Sequence, residues 1–207
     1  LTGLNQHVGN WPGKTVEFRE GLYHHNQRSY RLVDLPGTYS LTANSPEEVI
    51  AREYILREQP NIVVAVISAA NLERSLYLVS ELICLPVPLV VALNMMDVAE
   101  QEGIRVEPDV LQAALGVPVI PLTATRAAGV RELLGEVERG LNGERGLVPN
   151  LPEIRADHRE ILSNVARAIR AYVPAPYPTD WAAMKLLEGD AEITLQIRSA
   201  MPWEQWT

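Results

Sequence analysis

The sequence predicts an α/β fold in which a wound parallel sheet is followed by a small all-helical segment. Apolar, β-branched runs of strand length, fit to be buried on both faces, occur three times: 61–69, 87–94 and 116–124. Helical patterns fill the intervals, and this alternation is typical of a parallel sheet. After a Gly- and Pro-containing linker near residue 146, only helical patterns follow. We therefore expect two domains, residues 1–145 and 146–207.

The N-terminal part begins with an expected antiparallel hairpin. Residues 15–20 and 28–33 alternate between apolar and polar types, and "GLYHHNQ" lies between them as a loop. Ser45 is a candidate N-cap and Pro46 a first helical residue, so a helix is expected from there to about Glu58. The other expected helices are 71–85, 108–115, 129–141, 152–173, 179–188 and 190–200, with Thr179 or Asp180 as the cap of the 179–188 helix.

Bulk composition narrows the function classes. The chain has 207 residues, 47% of them hydrophobic, which is an ordinary globular composition. Its net charge of −8 argues against a protein that binds a nucleic-acid backbone. The lone cysteine, Cys84, excludes an internal disulfide and suits a reducing cytosol.

The sequence also predicts neither a membrane span nor a signal peptide. The longest apolar run, 82–93, is about half the ~20 residues that a transmembrane helix needs, and it contains Pro86 and Pro88. The chain begins with Leu1 instead of methionine, so we expect it to be a fragment or a processed product.

Polar residues follow three of the expected strands, where ligands bind in wound sheets. Asp97 can accept two hydrogen bonds from a ring N–H and an exocyclic amine, the edge that guanine offers. Asn94 can tie neighbouring loops together, and the Ala124 N–H can donate to a purine carbonyl. These residue types therefore favour a guanine site.

"DLPG" at 34–37 has two interpretations. It is either an ordinary turn or a sensor, in which Asp34 holds Mg²⁺ through water and the Gly37 N–H touches a terminal phosphate. Thr15, in "NWPGKTVE", is a hydroxyl that could complete the magnesium shell.

The order of four motifs along the chain, Thr15 followed by DxxG, NxxD and "TAT", resembles the motif series of small GTPases. The wording "VGNWPGKTVE", "DLPGTYSL", "NMMD" and "KLLEGD" is more specific and resembles the cytosolic G domain and helical domain of ferrous-iron transport protein B, over residues 1 to about 200. The resemblance implies a first switch loop at 13–17, a second switch from Asp34, Mg²⁺ ligation by Thr15 and Asp34, and guanine reading by Asn94 and Asp97. The nucleotide-binding set that it implies is Gly13, Lys14, Thr15, Val16, Glu17, Asp34, Leu35, Pro36, Gly37, Asn94, Met95, Met96, Asp97, Thr123, Ala124 and Thr125.

The chain departs from the family pattern in several ways. The phosphate loop GxxxxGK[ST] is absent from these residues, and so is the first strand, which lies in the middle of the sheet in this P-loop GTPase-like fold. We therefore expect about twenty more residues upstream in the natural protein. Lys14 replaces a residue that is usually uncharged, and Met95 stands where many GTPases have lysine.

Catalytic assignments are sparse. Thr38 occupies the place of the water-orienting glutamine of Ras-like proteins. No catalytic residue is assigned, and Thr15 is the one candidate. Slow turnover is therefore expected, on the order of 10⁻⁴–10⁻² per second. His24 and His25 fit a solvated turn better than an iron site, since no carboxylate or cysteine lies at ligand spacing. Trp181, Trp203 and Trp206 are expected to pack in the core or at an interface of the helical segment.

The resemblance implies a guanine-nucleotide switch with weak GTPase activity that regulates Fe²⁺ uptake at the cytoplasmic face of a bacterial inner membrane. Its implied cofactors are GTP or GDP and Mg²⁺, with a monovalent cation such as K⁺ as a further candidate. The implied partners are its own downstream membrane-spanning domain, a second copy of the chain and small accessory iron-transport proteins, but no nucleic acid. Two alternatives stay open at this stage, namely a ribosome-assembly or RNA-processing GTPase and a nucleotide-free interaction module.

Overall fold

The computed structural model describes residues 6–11, 16–25, 28–144 and 148–206. The described chain has six strands: β1 (Gln6–Asn10), β2 (Glu17–His25), β3 (Arg28–Asp34), β4 (Val63–Ser68), β5 (Leu89–Asn94) and β6 (Val119–Pro121). Its α-helices are α1 (Pro46–Glu58), α2 (Leu72–Leu82), α3 (Met96–Gln101), α4 (Pro108–Leu115), α5 (Val130–Leu141), α6 (Ala156–Ile169), α7 (Thr179–Leu187) and α8 (Ala191–Ala200). Short 3₁₀ helices occur at Ala124–Arg126 and Trp203–Gln205.

The strands form two separate three-stranded sheets within the described residues. One is antiparallel in the order β1–β2–β3, and the other is parallel in the order β4–β5–β6. In the parallel sheet Val63 pairs with Leu89, and Val91 pairs with Val119. The predicted α/β class with a wound parallel sheet is confirmed.

A single large core links the parallel sheet to the helices. Buried side chains of β4 and β5 pack with those of α1 and α2 and with those of α6, α7 and α8 in one cluster. A smaller cluster on the other face of the sheet contains Val90, Ala92 and Leu122 together with Leu133 of α5. The helices after residue 148 therefore share the core of the sheet, while the domain boundary near residue 146 stays a prediction.

The prediction that β4 is buried on both faces was wrong at Val66, although Val64 on the same face packs against the smaller cluster. Val66, in the middle of the strand, is 63% exposed, whereas Ala65 and Ile67 on the opposite face are buried. The α5 side of the sheet packs mainly over β5 and β6, so it leaves the middle of β4 uncovered.

The hairpin differs from its prediction at the two histidines. His24 and His25 lie in β2 and pair with Ser29 and Arg28 of β3, so they are strand residues and not loop residues. The cross-strand pair of Tyr23 with Tyr30, whose ring centroids are 6.3 Å apart, extends the ladder into this region. The strand β1, which pairs with β2, was not predicted.

Helix caps were predicted with mixed success. The Ser45 side chain accepts a hydrogen bond from the Glu48 N–H at 3.2 Å, which confirms it as the cap of α1. Thr179 and Asp180 do not cap α7, because Pro178 occupies the N-cap position and both residues lie in the first turn. Among the tryptophans, Trp181 is buried and Trp206 packs against the core. Trp203 is 75% exposed and is not a core residue, so for it the interface alternative stays a prediction.

Candidate functional site

The carboxyl ends of the parallel strands meet at one edge of the sheet. The Ala69 N–H, just after β4, donates to the Asn94 carbonyl at 2.8 Å, and the Leu122 N–H donates to the Leu93 carbonyl at 2.7 Å. The Met96 N–H then donates to the Leu122 carbonyl at 3.2 Å. These bonds bring the "NMMD" and "TAT" segments together, as predicted from the positions of the strand ends.

Asn94 ties the two segments through its side chain. Its Oδ1 accepts a hydrogen bond from the Ala124 N–H at 3.1 Å. The Ala124 N–H, which sequence reasoning offered to a purine carbonyl, is therefore already engaged by Asn94. The loop is also braced by the bridge between Thr123 and Ala128, whose backbones exchange bonds of 3.2 and 3.3 Å.

Met95 gives the turn after β5 its shape. It adopts the left-handed conformation with φ 63°, which is uncommon for a residue with a side chain and recurs at functional turns. Its side chain is 41% exposed, and its Sδ lies 3.6 Å from the Ser68 Oγ at the end of β4. An unbranched apolar side chain in this position can cover the face of a base.

Asp97 lies in the first turn of α3, where the helix dipole favours a negative charge. Its Oδ1 accepts the Val98 N–H at 3.1 Å, and no ion pair engages it within the described part of the chain. Asp97 lines an open cavity of about 480 Å³ together with Met96, Thr123 and Arg126. The carboxylate thus keeps acceptor capacity beside the loop that Asn94 holds.

The DxxG segment forms a separate group at the end of β3. Asp34 and the Gly37 backbone are exposed, and a methyl group built on Gly37 would meet no atom within 4 Å. Leu35 packs against the core, while Pro36 is half-buried beside it. No hydrogen bond or ion pair between described residues connects 34–37 to the Asn94–Thr125 group.

The next residues of the loop are held locally. The Thr38 hydroxyl donates to the Ser40 carbonyl at 2.6 Å, so it is occupied within the loop itself. The Tyr39 ring lies under the Arg74 guanidinium, 3.7 Å from the centroid. Arg74 belongs to α2, and sequence reasoning did not single it out.

The first-switch residues fall only partly within the described ranges. Gly13, Lys14 and Thr15 lie outside the described residues. Magnesium binding by Thr15 therefore stays a prediction from the sequence. The Val16 carbonyl accepts the Trp11 N–H at 2.9 Å. Glu17 is exposed and pairs with Arg19 at 2.6 Å, so its carboxylate is occupied within the strand.

Sequence reasoning missed a cluster of buried charges beside this loop. Arg52, Glu81, Lys185 and Asp190 are each at most 3% exposed and contact the backbone or side chains of residues 41–43. The only signal was the motif "KLLEGD", which begins with Lys185 and ends with Asp190. Arg52 and Glu81 gave no local signal, because the buried charges with which they pair, Asp190 and Lys185, are more than 100 residues away.

Comparison with known proteins identifies the family. Residues 1–137 match the family model described as Ferrous iron transport protein B. The chain belongs to this family. It is 42% identical over 197 residues to the Fe(2+) transporter FeoB of Shigella flexneri and 38% identical over 194 residues to that of Salmonella typhimurium. Each match covers 92% of this chain and 25% of the relative, so the chain spans about a quarter of the length of these curated relatives.

Solved FeoB structures share the fold. The cytosolic domain of Thermotoga maritima FeoB in a GDP form matches with a TM-score of 0.88 and 30% identity, covering 98% of this chain and 80% of that one. The cytosolic domain of Legionella pneumophila FeoB matches with a TM-score of 0.82 and 33% identity, covering 99% and 83%. The predicted resemblance to the FeoB cytosolic domain is confirmed.

One further prediction concerns the membrane. Among the described residues, none of the helices combines the length and the apolar character that a membrane crossing requires.

Proposed function

We propose that this chain is the guanine-nucleotide-binding, GTP-hydrolysing part of a ferrous iron transporter and acts on the cytoplasmic side of the membrane. The observation that carries the proposal is the Asn94–Ala124 hydrogen bond, which holds the loop after β6 beside Asp97. Family membership supports it, and so do relatives named as Fe(2+) transporters and a T. maritima FeoB cytosolic domain solved in GDP and GMPPNP forms.

Asp97 reads the base in this proposal. Its carboxylate accepts from the ring N–H and the exocyclic amine of guanine, a pair of donors that adenine lacks on that edge. Met95 covers one face of the ring from the rim of the site. In this proposal the Ala124 N–H donates both to the Asn94 Oδ1 and to the carbonyl oxygen of the purine. The 3₁₀ turn that begins at Ala124 thus contributes to base selection.

Asp34 and Thr15 hold Mg²⁺ in this proposal. The described residues contain no group of three or more His, Cys, Asp or Glu side chains that could enclose a metal ion. Mg²⁺ is commonly bound by one or two protein oxygens, water and substrate phosphates, and the exposed Asp34 carboxylate at a strand end fits such a shared site. A bound Mg²⁺ neutralises charge on the phosphates. A monovalent cation such as K⁺ stays a candidate cofactor without assigned ligands.

Hydrolysis is slow in this proposal. The Thr38 hydroxyl, which follows Gly37, is engaged by the Ser40 carbonyl and does not replace a water-orienting glutamine. A rate on the order of 10⁻⁴–10⁻² per second is therefore expected, the span of GTPases that lack an external activator. Gly37 contributes the backbone N–H that detects the terminal phosphate.

The partners are proposed from the length comparison. The relatives are about four times as long as this chain, since each match covers 25% of them. We infer that the nucleotide state is passed to a membrane-spanning part of the same protein. A second copy of the chain and small accessory iron-transport proteins are further candidate partners.

Base specificity tests the proposal directly. In the complete protein, Asp97→Asn replaces an acceptor by a group that is partly a donor, so GDP affinity should fall by several kcal/mol and xanthosine diphosphate affinity should rise. The matched control is Asp109→Asn, which removes a first-turn carboxylate from α4 instead of α3. Isothermal titration with both nucleotides measures the effect. Unchanged GDP affinity in Asp97→Asn, or an equal loss in the control, would reject this site.

A further inference from the structure

Four buried charged side chains connect the end of the DxxG loop to the helical segment. Arg52 comes from α1, Glu81 from α2, Lys185 from α7, and Asp190 is the N-cap of α8. Their exposed fractions are 0%, 3%, 0% and 1%. We call these four residues the buried ion cluster.

Glu81 holds Leu41. Its Oε2 accepts the Leu41 N–H at 2.6 Å, and its Oε1 accepts the Thr42 hydroxyl at 3.3 Å. Lys185 donates to the same carboxylate and also to the Thr42 hydroxyl at 3.0 Å and to Glu188 at 2.7 Å. Burial lowers the pKa of Lys185, but its hydrogen bonds to Glu188 and Glu81 outweigh this and raise the pKa above its usual value, so the lysine stays charged.

Asp190 holds Ala43. Its Oδ2 accepts the Ala43 N–H at 2.9 Å and a guanidinium N–H of Arg52 at 2.8 Å. Its Oδ1 accepts the Ile193 N–H at 2.9 Å and so caps α8. One carboxylate therefore connects the loop, α1 and α8.

The cluster supplies geometry more than net stability. Taking four charges out of water is costly, and apolar replacements of buried ion pairs are often neutral or stabilising. An apolar set could not accept hydrogen bonds from the backbone N–H groups of Leu41 and Ala43, as the two carboxylates do. The loop therefore has a fixed end at 41–43.

The middle of the loop, around Gly37, is exposed and has no contact with the buried ion cluster among the described residues. Gly37 is surrounded by open space and Tyr39 is 51% exposed. The contact of Tyr39 with Arg74 is a surface contact to α2 and does not involve the helical segment. From Gly37 towards α1, the first backbone group that a buried charged side chain holds is the Leu41 N–H.

We propose that Glu81 and Asp190 are positioning residues that fix Leu41 and Ala43 to α7 and α8, so that a nucleotide-driven movement of residues 34–40 is transmitted to the helical segment through these two carboxylates. Transmission rests on the proposed nucleotide function. The anchoring itself does not, because it involves protein atoms alone.

A charge-neutral double variant removes the Glu81 anchor. Glu81→Leu with Lys185→Met takes away both charges and the acceptor of the Leu41 N–H while keeping side chains of similar size. The control is Glu136→Leu with Arg139→Met, which neutralises an ion pair of 2.9 Å on α5. Hydrogen exchange of the complete protein should show protection of Leu41 falling about tenfold or more in the first variant and staying unchanged in the control. Unchanged protection of Leu41 in the first variant would overturn the anchoring.

Exchange in the helical segment tests transmission. In the wild type, residues 179–200 should differ in protection between GDP and GMPPNP. The Glu81 variant should bind both nucleotides within about threefold of the wild type and lose this difference. A difference that persists in this variant, or one that is absent from a nucleotide-bound wild type, would overturn the transmission. Failure of the wild type to bind either nucleotide would instead reject the proposed function.

Asp190→Asn is the second variant in case the double variant does not fold. It should speed exchange at Ala43 and leave Leu41 protected, and it should weaken the difference in 179–200. Unchanged protection of Ala43 in Asp190→Asn would overturn the anchoring by Asp190.

Discussion

The Oδ1 of Asn94 accepts a hydrogen bond from the Ala124 N–H at 3.1 Å, and this bond joins the loop after β5 to the loop after β6. The two residues are 30 positions apart in the sequence. The bond fixes the loop after β6 relative to Asp97, which lies three residues after Asn94. Guanine binding should therefore depend on Asn94 even if Asn94 does not touch the base.

Removing the Asn94 side chain should weaken nucleotide binding more than it weakens the fold. We expect Asn94→Ala to lower the free energy of unfolding by about 1 kcal/mol, the typical net contribution of one hydrogen bond, and to lower GDP affinity at least tenfold because the 3₁₀ turn is released. GDP titration and urea unfolding of the complete protein measure the two effects. Asn164→Ala on the exposed face of α6 is the control, and an equal loss of affinity in both variants would contradict the role of the tie.

Gly129 should tolerate no side chain. Its φ is +79°, and an added Cβ would lie 2.1 Å from the Pro121 carbonyl oxygen and 2.8 Å from Leu122 Cδ2. Gly103→Ala is a matched control, because its φ of +72° imposes the same backbone strain but its Cβ would meet no atom within 4 Å. We expect about 1 kcal/mol of destabilisation at Gly103 and about 3 kcal/mol or more at Gly129, measured by urea unfolding. Equal costs would show that the loop after β6 can move aside.

Substitution of Gly37 distinguishes the two interpretations of "DLPG", an ordinary turn and a phosphate sensor. Since a Cβ added at Gly37 would meet open space and its φ is not positive, Gly37→Ala should change the free energy of unfolding by no more than about 0.5 kcal/mol. If its N–H touches the terminal phosphate, the methyl group should weaken GMPPNP binding while GDP binding is kept. Competition titrations with the two nucleotides decide this, and an equal effect on both would return "DLPG" to an ordinary turn.

Tyr177 should contribute to stability in a pH-dependent way. Burial, followed by the hydrogen bond that its hydroxyl donates to Glu53, raises the pKa of Tyr177 to about 12. The folded state therefore favours the neutral hydroxyl of Tyr177. This contribution to the free energy of unfolding is complete below the unfolded-state pKa near 10 and is lost as the pH rises to about 12. We expect Tyr177→Phe to cost about 1.5 kcal/mol at pH 8 and to flatten the fall in stability between pH 10 and 12. An unchanged slope in urea unfolding over that range would contradict the assignment.

Local patterns predicted the parts of the fold that are locally encoded. Continuous β-branched runs located β4 and β5, and the polar residues at the carboxyl end of β5 located Asn94 and Asp97. Val66 shows the limit of this reasoning, since a run of apolar residues does not reveal which helix covers each face. The strand positions of His24 and His25 were missed because they depend on the cross-strand pairing of Tyr23 with Tyr30. Helix α3 has six residues, which is too short for an apolar period to appear.

The buried ion cluster could not be predicted from spacing. Arg52 meets Asp190 across 138 residues, and Lys185 meets Glu81 across 104. Each of the four looks like a solvated charge in its local sequence, and only tertiary packing brings them together. The family resemblance of the motif "KLLEGD" singled out Lys185 and Asp190, but it did not indicate that they form buried ion pairs.

The surroundings of Trp181 make it an intrinsic optical probe of the contact between α1 and α7. Its ring is 2% exposed, stacks on Tyr177 at 5.7 Å, and has the Arg52 guanidinium and the Lys185 ammonium each 5.7 Å from its centroid. The emission of an indole responds to the electric field of nearby charges, so a small separation of the two helices should shift the Trp181 fluorescence without any added label. The other three tryptophans, of which Trp203 is on the surface and therefore red-shifted, provide the background against which that shift is seen.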